Sequence, residues 1–522
     1  MPYLLFPSRA QGPVCHLRLI RFTDGVHMSL FSPRRYQRSF QPYRRGNEGV
    51  PIRIFTGFER VIKEALFGCR MCGNCILRET AFICPMTCPK GLRNGLCGGA
   101  TPEACEVDSS RPCTWYKIYE RSVKLGRVDR LLEVNAPLDG DRVGRETWLN
   151  VLQAWRGRKQ GPRFRDLLLD RDRFREEWES LFYDVRQPDW WQGDDQYHAP
   201  QYVEPVSLLE ANLRAGGFVV TGEIAPPLDS SPDGILQKAE MLKGTVAAAN
   251  ITDNASAVAR MSSMASSRIC LDAGLEPVMQ LQARDRSRVV LESDAMGAAG
   301  LGISNILCLT GDHHRFGPNP VAKPDQFDMD SIQLLWMLRR MRDEGVYLDG
   351  RKIKRRPPFF LGAAASPFGA IPEYEAVRAE IKVNAGAQFI QTQPIFDHGR
   401  FLEWLEALDK RNLIGKVHIL AGMIPLKSTR AAEFMAKDVP GVVIPPTVLK
   451  RMTDAKDKES QQEVGVAIAL EILAKLRETP GIGGVHIMAV HWESIIPRLI
   501  EEAGLSRPAI TRLPEQMSGD VS

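Results

Sequence analysis

The stretch FVVTGEI (residues 218–224) decides the fold. It is a short apolar run between Gly216-Gly217 and Pro226-Pro227, so it predicts a buried strand with a carboxylate, Glu223, at its end. Seven more runs of this kind follow: VAAANIT (246–252), EPVMQLQ (276–282), ISNILCLTG (303–311), PFFLGAAA (358–365), FIQTQPIF (389–396), KVHILAGMI (416–424) and GVHIMAVHW (484–492). Between most of them lies one amphipathic segment of helical length, such as DSIQLLWMLRRMRDEG or EYEAVRAEIKVNAGA. A glycine suited to a C-cap often closes it (Gly274, Gly300, Gly345, Gly386). Strands alternating with helices predict an α/β fold, a (βα)8 TIM-type barrel, over residues 216–508.

Upstream, FGCRMCGNCILRETAFICPMTCPKGLRNGLCGGATPEACEVDSSRPC (67–113) holds Cys69, Cys72, Cys75, Cys84, Cys88, Cys97, Cys105 and Cys113, eight of the chain's 11 cysteines. It contains no His, so a metal bound there is ligated by thiolates alone. Three thiols at C-x2-C-x2-C spacing, and Pro after both Cys84 and Cys88, are features of ferredoxin-type cluster ligation, whereas structural zinc more often uses separated C-x2-C pairs. Eight thiolates suit two 4Fe-4S clusters, one cluster with one zinc, or two zincs. Residues 55–120 are therefore expected to form a small cysteine-rich metal domain with a core of its own.

Residues 1–54 are Arg-rich without periodicity and are expected to be poorly ordered; Met28, which begins MSLFSPRRYQRSF, offers an alternative initiator. Residues 121–215 read as a charged helical connector, and residues 509–522 as a tail. Six of the nine Trp lie between Trp115 and Trp191, where they are expected to anchor this connector. The uncharged stretches fall short of the roughly 20 apolar residues of a membrane span, and the net charge of +5 is dispersed among acids. A cytoplasmic protein with no membrane and no nucleic-acid partner is expected.

In a barrel of this kind the chemistry sits at the carboxyl ends of the strands. Those ends carry Glu223, Thr252, Asp253, Asn254, Gln280, Gln282, Thr310, Asp312, Thr392, Gln393 and His491. Carboxylates, amides and hydroxyls are thus expected to converge on one mouth.

GEIAPP (222–227), ITDNAS (251–256), LCLTGDHHRFG (307–317) and KVNAGAQFIQTQPIFD (382–397) fall in order on strands one, two, four and six, and the match runs from Gly217 to Leu505. Together they resemble the methylenetetrahydrofolate reductase family, flavin-dependent barrel enzymes of one-carbon metabolism and methionine biosynthesis. The resemblance implies reduction of 5,10-methylenetetrahydrofolate to 5-methyltetrahydrofolate with FAD or FMN. It implies Glu223 as proton donor, with Asp312 beside it. Asp312, Gln393 and His491 would bind folate, and Thr252, Gln280, Thr310, Gly311 and Lys382 the flavin, Lys382 as the cation for phosphate. The loop into Asp330 and Ser331 would add flavin contacts. Gln280 stands where the family usually has His, Ile381 replaces an Arg, AAASPFG replaces a Tyr-Pro strand end, and Thr429 takes the place of an aromatic that stacks on folate.

The cysteine stretch resembles the domain that accompanies this reductase in acetogenic bacteria, there usually as a separate subunit. That likeness implies an electron inlet served by a redox partner protein, with NAD(P)H acting directly as the alternative donor. A rival reading is a non-catalytic folate-binding scaffold whose zinc docking domain serves a methyltransferase. A homo-oligomer is left open.

Overall fold

The structure is a computed structural model that describes residues 50–148, 187–319, 327–439 and 441–513. The expectations for residues 1–49 and Met28, for 149–186 of the connector and for the tail beyond 513 lie outside these. All eight runs are strands: β1 Val219–Ile224, β2 Ala248–Ile251, β3 Pro277–Gln282, β4 Asn305–Leu309, β5 Phe360–Ala365, β6 Phe389–Pro394, β7 His418–Met423 and β8 Gly484–Ile487. Each pairs in parallel with the next, and β8 returns to β1 with Val485 opposite Val220, closing the barrel. Several strands stop short of the predicted runs because the polar residues at the run ends leave the ladder for the loops. Thr252, Gly311 and His491 all lie past the last strand residue.

Helices α1 Val50–Phe67, α2 Thr114–Lys124 and α3 Leu208–Arg214 precede the barrel. The crossovers that parallel pairing requires are α4 Asp233–Leu242, α5 Ser263–Asp272, α6 Arg288–Gly300, α7 Ser331–Asp343, α8 Pro372–Asn384 and α9 His398–Asp409. Between β7 and β8 the chain makes α10 Thr429–Asp438, α11 Pro446–Asp454 and α12 Lys458–Glu478, and α13 Ile496–Glu502 follows β8. Gly274, Gly345 and Gly386 have the positive φ expected of helix ends, whereas α6 runs through Gly300 and turns at Gly302.

The barrel is plugged at its amino-terminal end. Leu209 and Leu213 of α3 pack with Val278, Leu307, Phe360, Phe389 and Leu420, and the Glu276 carboxylate receives the Leu208 and Leu209 amides at 2.7 and 2.8 Å. Phe360 stacks on Phe389 at 4.9 Å, and a Cβ on Gly362 would sit 2.2 Å from the Phe389 ring, so only glycine fits there.

The expectation of a separate core for residues 55–120 is corrected. Leu92, Leu96, Cys113, Trp115 and Tyr116 belong to one buried cluster with Leu335 and Trp336 of α7 and Tyr374 and Val377 of α8. Tyr119 stacks on Tyr374 at 4.2 Å, and the Tyr116 hydroxyl accepts from the Ala370 amide at 3.2 Å. Its private cluster, Cys72, Leu77, Cys84 and Met86, is too small to support a fold, so the segment borrows apolar surface from the barrel. Trp191, fully buried, ties the connector down by donating to the Val134 carbonyl at 2.9 Å and accepting from Trp336 at 3.2 Å through its own carbonyl.

Candidate functional site

A cavity of about 570 Å³ opens at the carboxyl ends of the strands. Gln280, Thr310, Gly311, Asp312, Lys382 and Gln393 line it from the barrel, so six of the expected site residues share one space. Its opposite wall comes from the cysteine segment: Lys90, Leu96, Cys97, Gly98 and Glu106. The fit there is close, because a Cβ on Gly98 would lie 2.8 Å from the Ser366 hydroxyl just beyond β5.

Three expected residues stand elsewhere. Glu223 points into the barrel with its side chain 17% exposed, over a polar layer in which Thr221 meets His486 Nδ1 at 3.0 Å and Asn250 and Gln391 exchange amide hydrogen bonds of 2.6 and 3.0 Å. Thr252 is buried just past β2, and its hydroxyl has no partner. His491 is corrected: it sits on an exposed turn at φ 55°, four residues past the end of β8, and does not line the cavity. The histidine that β8 carries to the centre is His486, whose Nε2 lies 3.6 Å from Glu223 Oε2.

Asp312 is fixed from two sides. Its carboxylate receives the Ser256 amide at 2.7 Å and its carbonyl receives Arg284 Nη1 at 3.2 Å. The loop supplying Ser256 is strained, with Asn254, Ser256 and Ala257 all at positive φ, a state that persists where surrounding contacts enforce it. Arg284, itself buried, enforces it here by donating to the Asn254 carbonyl at 3.1 Å. Asp253 takes Arg286 Nη1 at 2.6 Å and the Gln282 amide at 3.1 Å, and burial still pushes its carboxyl above the usual range.

Lys382 is buried, donates to the Ala364 carbonyl at 2.6 Å, and is pulled down to about 7 by burial and then by Arg378. Lys90, contributed by the cysteine segment, is ion-paired to Glu106 at 2.8 Å. Asp330 caps α7 and binds the cysteine segment, so its oxygens are already engaged. Thr429 donates to the Met452 carbonyl; the aromatics at the rim are Phe316 and Phe434, both exposed. Arg284, Lys90, Glu106, His486 and Phe434 were missed in the sequence. Of these, His486 alone lies within one of the predicted strand runs.

None of the described cysteines forms a disulfide. Cys69, Cys72, Cys75 and Cys84 line a cavity of about 20 Å³. Among the described residues, no three His, Cys, Asp or Glu side chains converge tightly enough, as they stand, to hold a metal ion. No described helix is long and apolar enough to cross a membrane.

A family profile described as methylenetetrahydrofolate reductase matches residues 208–504, and one described as the C-terminal part of methylene-tetrahydrofolate reductase matches residues 52–141. Methylenetetrahydrofolate reductase 1 of Schizosaccharomyces pombe is 26% identical over 239 residues, 45% of this chain and 36% of that protein. The 5,10-methylenetetrahydrofolate reductase of Pectobacterium carotovorum is 25% identical over 246 residues, 46% of this chain and 73% of that protein. The alignment thus spans little more than a third of the yeast relative. A solved structure of an uncharacterised Clostridium thermocellum protein, described as binding two copies of 5-methyl-5,6,7,8-tetrahydrofolic acid, covers 57% of this chain and 99% of its own. At 16% identity and a TM-score of 0.41 that likeness is too distant to bear on function.

Proposed function

This chain belongs to the methylenetetrahydrofolate reductase family, and we propose that it reduces 5,10-methylenetetrahydrofolate to 5-methyltetrahydrofolate with a bound flavin, FAD or FMN, its electrons entering through the cysteine segment. The observation that carries this reading is the grouping of Asp312, Gln393 and Lys382 around one cavity whose wall is completed by Cys97. The residues that line the cavity fit a flavin: Lys382 is a desolvated amine with no carboxylate bonded to it among the described residues, suited to a phosphate. A flavin, when bound, supplies hydride to the one-carbon bridge.

The rest falls to the chain. Asp312 and Gln393 take the donors and acceptors of the pterin, the amide of Ser256 keeping Asp312 aimed. Phe316 and Phe434 are the aromatic side chains at the cavity available to the benzoyl ring. Glu223 gives its proton to the folate nitrogen whose bond to the bridge breaks, and His486, with Nε2 3.6 Å from Oε2, borders the carboxylate that remains. Eight thiols and no imidazole fit a thiolate-only centre, which a reducing cytoplasm leaves available. An iron–sulfur centre supplies single electrons; zinc would leave only docking.

The test is protein purified without oxygen. Flavin absorbance should be bleached by an artificial donor and restored by 5,10-methylenetetrahydrofolate with 5-methyltetrahydrofolate as product. Protein that binds folate but carries no flavin and forms no product would favour the scaffold reading instead.

A further inference from the structure

We propose that the eight cysteines form two separate four-thiolate metal sites, Cys69/Cys72/Cys75/Cys84 and Cys88/Cys97/Cys105/Cys113, the second sharing a wall with the barrel cavity. The inference rests on the metal reading above and adds a pairing to it. The first four thiols surround the small cavity beneath α1, and Cys72, Cys75 and Cys84 pack in the segment's private cluster. The other thiols face the barrel: Cys113 lies within the shared core, and Cys88 and Cys97 pack against it. Cys105, buried, interacts electrostatically with both Cys88 and Cys113. The switch between groups falls at one short turn, Pro85–Thr87, which has Cys84 at one end and Cys88 at the other.

Charge points to the same division. A tetrathiolate centre of zinc or 4Fe-4S carries net negative charge, which is costly to bury without a cation nearby. Each group has one lysine only 3% exposed: Lys63 beside Cys69 and Cys75, and Lys90 beside Cys88 and Cys97. Each lysine is also paired to a glutamate, Glu59 at 2.5 Å and Glu106 at 2.8 Å, so what each group gains is an ammonium fixed beside its thiols and not a net positive charge. The device occurs twice, once per group. Metal loading must draw the thiols of each group closer, since no three of them converge as they stand. Between Cys69 and Cys113 the backbone holds one short 3₁₀ turn and no longer helix or strand to resist this.

The ferredoxin pattern gives a contrasting expectation, because there the fourth cysteine of a run ligates the other cluster. Elemental analysis of anaerobically purified full-length variants separates the two. Cys72→Ser and Cys97→Ser should each empty one centre and leave the other at its wild-type content. Cys72→Ser/Cys84→Ser should lose no more than Cys72→Ser alone, and Cys72→Ser/Cys97→Ser all of the metal. Complete loss in the Cys72→Ser/Cys84→Ser pair, or one centre retained in the Cys72→Ser/Cys97→Ser pair, overturns the pairing. Wild-type protein without metal overturns the metal reading itself. Iron with acid-labile sulfide against zinc identifies the centre. Should a variant not fold, wild-type protein partly stripped by a chelator and alkylated gives the same answer: mass spectrometry should find labels arriving in these two blocks of four, and scattered labelling sinks the idea.

Discussion

Replacing Asp330 by Ala and by Ser separates what starts α7 from what fastens the cysteine segment to the barrel. One carboxylate oxygen accepts the Ile332 and Gln333 amides at 3.1 and 2.9 Å, capping the helix. The other accepts Asn94 Nδ2 at 3.0 Å and the Arg93 amide at 3.3 Å. A lost N-cap costs about 1 kcal/mol, and each of the two buried donors left unpaired about 1–3 kcal/mol, so Asp330→Ala should lose roughly 3–7 kcal/mol. Serine caps as well as aspartate but is too short to reach Asn94, so Asp330→Ser should lose only the second part, about 2–6 kcal/mol. Urea unfolding followed by tryptophan fluorescence reads both, since Trp115, Trp191 and Trp336 lie in the joint core. In a double-mutant cycle, Asp330→Ser and Asn94→Ala should be non-additive by about 1 kcal/mol. Equal losses for Ser and Ala, or strict additivity in the cycle, would refute the view that this carboxylate joins the two parts.

Glu223→Gln keeps the shape of the side chain but cannot donate a proton, so reoxidation of reduced flavin by 5,10-methylenetetrahydrofolate should slow by about 10²- to 10⁴-fold with flavin binding intact. Stopped-flow traces at the wild-type rate would exclude it as the acid. The Lys382 amine, held near 7 by burial and Arg378 against the opposing pull of Glu375 and Asp330, is mostly neutral at about pH 8 in the free protein. Its folded value lies below its unfolded one, so its cost to stability is absent above the unfolded value and grows as pH falls toward 7. Binding of a flavin phosphate at about pH 8 should therefore take up close to one proton, and Lys382→Met should abolish the uptake. Calorimetry in two buffers of different ionisation enthalpy checks this, and no difference between wild type and variant would count against Lys382 as the phosphate group's partner. Phe434→Ala should weaken folate binding by about 2- to 12-fold, the equivalent of roughly 0.5–1.5 kcal/mol of stacking. Unchanged affinity would remove Phe434 from the site.

The barrel was legible because parallel strands covered on both faces read as continuous apolar runs, and all eight did so. Where each run leaves the ladder was less legible. That uncertainty put His491 in place of His486, since the end of β8 depends on its pairing with β1 and β7 rather than on its own composition. At position 429 a one-to-one reading found threonine and no ring, whereas α10 brings Phe434 to the rim from one turn further along. Arg284 reads as an ordinary charged residue after β3 until two other loops close on it. The docking of the cysteine segment could not be foreseen, because aromatics such as Tyr116 and Tyr119 show that a surface is buried but not what buries it.

The wall that the cysteine segment lends to the cavity sets an order of manufacture. Asn94 must wait 236 residues for Asp330, and the first four strands of the barrel lie between the two in the order of synthesis. The segment therefore leaves the ribosome with Trp115, Tyr116 and Tyr119 uncovered and its thiols open to solvent before β1 exists. Whatever fills those thiols is best delivered in that interval, while the chain around them is still loose. On the proposed metal reading, a cell short of that metal would accumulate a barrel with an ill-fitting roof, and the shortage would be felt first as poor retention of what the cavity holds.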